Sequence, residues 1–117
     1  MSLKECPSGH NGAVAEPYLT ELRALALSWE NADPAVGPLD CRHFFSGAAA
    51  YRGGGIVATL TPVGLAFKVP NTVRTELLGS ERAIELRYFP DAPIKKDYVL
   101  FPKGDIQPVE AARLLIR

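Results

Sequence analysis

The chain has 117 residues, enough for one domain that buries about two-thirds of the surface its unfolded form exposes. Hydrophobic residues make up 47% and charged residues 22%, an ordinary globular balance, and the apolar runs fall far short of the ~20 residues a membrane-spanning helix needs. Thirteen basic side chains balance thirteen acidic ones, so no global field draws nucleic acid or an anionic membrane. The balance is uneven: Lys4, Arg23 and Arg42 face six acidic residues in the first 50 positions, which leaves ten basic against seven acidic in the rest. That is minus three and then plus three, a polarity compatible with head-to-tail contacts or a weak anion site. Met1 to Cys6 carries Lys4 and Glu5 with no apolar stretch after it, unlike a signal peptide, so a cytoplasmic address is expected.

Residues 1–16 lack periodicity and read as a flexible arm, leaving residues 17–117 as the single domain. Pro17 suits the first turn of a helix, where a missing N–H costs nothing. Tyr18, Leu22, Leu25, Ala26 and Trp29 recur at spacings of three and four, predicting an amphipathic helix to about Asn31, with Leu19 and Leu27 broadening its apolar stripe. Asp33-Pro34 stops it, because the residue before proline is pushed out of the helical region. Ala35 to Cys41 reads as a connector.

Three consecutive strands are expected between His43 and Pro70. A small-residue strand, Phe44 to Tyr51, turns at Arg52-Gly53-Gly54-Gly55 into an arm in which Ile56, Ala58 and Leu60 alternate with Val57 and Thr59. Thr61-Pro62-Val63-Gly64 makes the next turn, and Leu65, Phe67 and Val69 then alternate with Ala66 and Lys68. Asn71 or Thr72 is placed to cap a short helix, Val73 to Leu78, that Gly79 ends. Ala83 to Phe89 alternates again, with Ile84, Leu86 and Tyr88 on one side and Glu85, Arg87 and Phe89 on the other. Lys96 to Phe101 supplies a fifth strand, and Pro108 opens a last helix whose Val109, Ala112, Leu115 and Ile116 can face inward. Helix, three strands, short helix, two strands and helix make an α+β two-layer sandwich with an antiparallel sheet and the helices on one face.

The other face would carry Val57, Thr59, Ala66, Lys68, Glu85, Arg87 and Phe89, a mixed surface that marks a protein contact unless a tail or loop lies across it. Chemistry-bearing motifs are sparse. Cys6 with His10 and Cys41 with His43 offer four N/S donors, but a one-residue gap is unlike common zinc spacings, so no metal or other cofactor is inferred. Gly53-Gly54-Gly55 leads into a strand rather than a helix and cannot cradle phosphate as a P-loop does. No serine-nucleophile, paired-carboxylate or zinc-protease pattern is present. Cys41, His43, Lys68 and Tyr98 make an alternative small-ligand or enzyme pocket, while Tyr88, Phe89, Tyr98 and Phe101 interleaved with Arg87, Lys95, Lys96 and Lys103 make a weaker case for stacking on nucleic acid.

Phe45-Ser46-Gly47-Ala48-Ala49-Ala50-Tyr51, Leu60 to Lys68 and Tyr98-Val99-Leu100-Phe101-Pro102 together resemble the N-terminal domain of the TfoX (Sxy) competence regulators over about residues 17–117. That family usually has more glycine in the first strand, Asp-Gly where Pro62-Val63 stands, and a glutamate where Leu100 stands, while Lys68 matches its strand-closing lysine. The resemblance implies a fold like that of YgaC and the secretion chaperones. It also implies a small bacterial regulatory module acting through protein partners, with no catalytic residues to carry over, and a second copy of the chain in a homodimer is one partner this reading allows.

Overall fold

The computed structural model describes residues 11–116. Its helices are α1 (Asn11–Ala32), α2 (Asn71–Gly79) and α3 (Pro108–Ile116), with a single 3-10 turn at Pro34–Val36. Its strands are β1 (Asp40–Phe44), β2 (Gly47–Arg52), β3 (Gly55–Thr61), β4 (Gly64–Lys68), β5 (Ile84–Leu86) and β6 (Lys95–Phe101). All neighbours are antiparallel, in the order β1-β2-β3-β4-β6-β5. The α+β class is as expected, but four strands precede α2 instead of three. The additional one forms because the chain reverses at Phe45-Ser46, pairing Phe44 with Gly47, so the expected single strand splits into β1 and β2.

Alternation across the ladder assigns the two faces. Cys41, Ala50, Ala58, Phe67 and Val99 form one transverse row, and Ala48, Leu60, Leu65 and Phe101 lie in a second on the same side. These rows meet α1 and α3 in the main core. The alanines of β2 let α1 come close, and Trp29 reaches the sheet at Phe67, ring centroids 5.3 Å apart. Leu19, Leu22 and Ala26 are buried with it. Leu27 is not: at 100° per residue it points about 140° away from Leu22, and it is 60% exposed. Pro17 lies inside α1, which begins at Asn11, so it does not open the helix; of the expected arm, positions 1–10 lie outside the described residues.

Other boundaries shift for local reasons. The N-cap of α2 is Pro70 and no side chain caps it, so Asn71 is the first helical residue and not the cap. In α3 the buried arc runs through Ala111, Ala112, Leu114 and Leu115. Val109 and Ile116 fall roughly 120–140° from its centre and stay exposed, at 52% and 38%. Arg52 and Gly55 close a two-residue turn at Gly53-Gly54, whose φ values of 61° and 88° suit the mirror-image turn that matches strand twist.

A groove on the outer face of the sheet

The face turned away from the helices carries the row Arg42, Ala49, Thr59, Ala66, Leu100, Ile84, one residue from each strand. A bare sheet face would leave these residues in water, yet Ala49, Thr59 and Ala66 are fully buried and Leu100 nearly so. The cover is the segment between β5 and β6. Strand β5 stops at Leu86, and the chain from Arg87 to Pro93 folds back over the sheet, placing Leu86, Ala66 and Leu100 in a second small core with Val63, Tyr88 and Tyr98 against it. The Tyr88 and Thr59 hydroxyls lie 3.5 Å apart, sharing a long hydrogen bond, and the Tyr88 ring reaches Phe44 and Phe45 at 5.9 and 6.2 Å. Arg87 Nη1 donates to Ala92 O at 2.8 Å and closes the loop on itself.

This crossing segment changes the expected contact face. Thr59 and Ala66 are beneath it, out of reach of a partner. Val57 is on the other side altogether: the pairing steps from Ala50–Ala58 to Tyr51–Ile56, so Val57 is the extra residue of a β-bulge and packs toward the main core. The expected fourth strand is only three residues long, its pairing is irregular between Ile84 and Leu86, and Ile84 is 51% exposed while Leu86 is buried. Glu85 is held by Arg74 Nη2 at 3.4 Å. Lys68, Arg87 and Phe89 remain exposed, Phe89 at 60%.

Between the crossing segment and the Phe45-Ser46 turn lies a groove of about 440 Å³, lined by Phe45, Ser46, Thr61, Tyr88, Phe89, Ala92, Pro93 and Lys95. Its walls are mainly carbon. Phe45 is 82% exposed and sits at φ 52°, a left-handed conformation unusual for a bulky residue. The Thr61 hydroxyl in the groove accepts from Val63 N–H at 3.4 Å. Burial pushes the Tyr88 phenol above its ordinary range, against the opposing effect of its bond to Thr59. Burial does the same to Tyr98, helped by the nearby Tyr88, Asp97 and Tyr51. Both hydroxyls are therefore neutral donors and acceptors near neutral pH.

The other expected sites are not assembled. Cys41 and His43 are on β1, three strand spacings or about 14 Å from Lys68, and Lys68 pairs with Tyr98 on the outer face whereas Cys41 faces the main core. Burial raises the Cys41 thiol, outweighing the lowering by Arg23, which moves it away from the thiolate a nucleophile requires. Cys6 and His10 lie outside the described residues, among which no cluster of three metal-ligating side chains occurs. The expected aromatic platform is divided, because Phe101 is buried in the main core while Tyr98 packs on the opposite face. No described helix is long and apolar enough to cross a membrane. Of the groove's lining, the sequence points to Tyr88, Phe89 and Lys95, as part of an aromatic and basic set, whereas Phe45 is hidden in what reads as continuous strand. Comparison with family models, curated proteins and solved structures gives no match to this chain.

Proposed function

We propose that this protein is a small cytoplasmic regulatory module of the TfoX N-terminal type that binds a protein partner through the groove on the outer sheet face. The observation that carries this reading is the pair Phe45 and Phe89, two large aromatics left 82% and 60% exposed on either side of an apolar slot. Exposed aromatics grouped around a concavity supply the anchor contacts from which interfaces draw most of their binding energy. Phe45 also holds an unfavourable backbone conformation, and a seated partner would bury the ring that it leaves in solvent. The resemblance of the Phe45–Tyr51, Leu60–Lys68 and Tyr98–Pro102 stretches to TfoX regulators supports the regulatory part of the reading.

The test is capture of partners from a lysate of the source organism with tagged wild-type protein and with the Phe45→Asn/Phe89→Ser variant. The expected result is a reproducible partner retained by the wild type and lost by a variant whose circular dichroism is unchanged and whose melting temperature is not lowered. An identical set of captured proteins from both would remove the groove from the interaction.

A further inference from the structure

The mouth of the groove is charged as well as apolar. Lys95, at the start of β6, lines it, is exposed, and has no ion-pair partner among the described residues. Lys96 follows it, also exposed and unpaired within that set. Arg87 adds a third cation at the base of the loop, while the acidic side chains nearby in sequence are Asp91 at the loop tip, Asp97 directly after Lys96, and Glu85, which Arg74 engages. Over residues 84–97 three basic side chains thus stand against three acidic ones, one of them already paired, and among the described residues Lys95 is the charged side chain that lines the groove itself. We propose, on the reading that this groove is a protein-docking site, that its occupant is a peptide segment in which one bulky apolar side chain is followed or preceded by an acidic residue.

The chemistry divides between the two parts. The slot between Phe45, Tyr88, Phe89 and Pro93 has the volume of a small ligand pocket and takes bulky apolar side chains. A neighbouring Asp or Glu then meets Lys95 at the rim. A rim charge mainly sets on-rate, salt dependence and choice of partner, whereas the buried aromatic contact sets the lifetime of the complex. An apolar partner without the acid would leave Lys95 beside a carbon surface with its charge only partly hydrated, and a basic partner would meet like charge.

A random heptapeptide display library, selected in parallel on wild type, Lys95→Glu and Phe45→Asn/Phe89→Ser, tests this. Anisotropy titrations of the synthesised consensus peptide and chemical-shift titrations with 8-anilino-1-naphthalenesulfonate complete the experiment. The expected outcome is a wild-type consensus with a bulky apolar residue adjacent to an acid. Its affinity should fall about fivefold in Lys95→Glu and at least about tenfold in the double variant, and weaken with added salt. A consensus that needs the two phenylalanines but shows no acidic preference, or is indifferent to Lys95→Glu, overturns the inference and leaves the docking module standing. Absence of any consensus dependent on Phe45 and Phe89 overturns both. Should the naphthalenesulfonate shift groove amides in that last case, the occupant is a small anionic amphiphile and not a peptide.

Discussion

Phe45 concentrates the unusual features of the molecule in one residue. Its φ of 52° is where glycine or asparagine is at ease, so Phe45→Asn should be neutral or stabilising by up to ~1 kcal/mol in urea unfolding, although it removes ring contacts with Phe44 and Tyr88. A loss above ~2 kcal/mol would mean that the ring is part of the fold. Gly64 is the opposite case. It sits at φ 130°, and a Cβ there would come within 2.8 Å of the Pro102 backbone, so Gly64→Ala should cost more than ~2 kcal/mol. Tyr88 and Tyr98 make a pH prediction. Their folded pKa values are raised above the ordinary 10.0, so the neutral phenols contribute fully below pH 10 and that contribution is lost as pH rises through the folded values. The melting temperature should therefore drop above pH 10, less steeply in Tyr88→Phe/Tyr98→Phe than in wild type.

At the scale of elements, the crossing segment Arg87–Pro93 does what a strand was expected to do there. The alternation from Ala83 to Phe89 is real in sequence, but a strand needs a ladder partner, and β6 pairs with β5 only at Ile84 and Leu86, with the register shifting between the two. The later half of the run sets Leu86 and Tyr88 against the sheet face instead and leaves Phe89 exposed. Tyr88→Ala should uncover Thr59 and the second core, raising amide exchange selectively in β3 and β4, while Tyr88→Phe should cost under ~1 kcal/mol because the hydroxyl bond is long. Equal exchange in the two variants would assign the cover to other residues. Arg87→Glu should loosen the loop by removing the bond to Ala92 O, which ties this position to the shape of the groove as well as to its charge.

Over the whole molecule, one core joins α1, α3 and the inner sheet face, and its centre is Trp29 on Phe67 with Phe101 edge-on at 5.9 Å. Trp29 is the only tryptophan and is 1% exposed, so its fluorescence reports the core as a unit. Unfolding followed by fluorescence and by far-ultraviolet circular dichroism should give one midpoint, and Phe67→Ala should lower stability by ~3–5 kcal/mol by both probes. Separate midpoints would show that the helices and the sheet come apart independently.

The sequence by itself determined the class and most of the inner layer. Period-two alternation through Leu60, Leu65 and Phe67, the three-and-four spacing of Leu22, Ala26 and Trp29, and the turn residues at Gly53-Gly54 and Pro62-Val63 are local signals, each set by backbone geometry within a few residues. Tertiary structure alone decided three things. The reversal at Phe45-Ser46 carries no glycine at its positive-φ position, so β1 and β2 read as one run. The bulge at Val57 moves one side chain to the other face, because an added residue in the ladder breaks strict alternation. The groove joins the β1–β2 turn to a loop more than forty positions later. That juxtaposition depends on strand order, which puts β5 at the far edge of the sheet and sends the chain back across it, and no local periodicity encodes such a crossing.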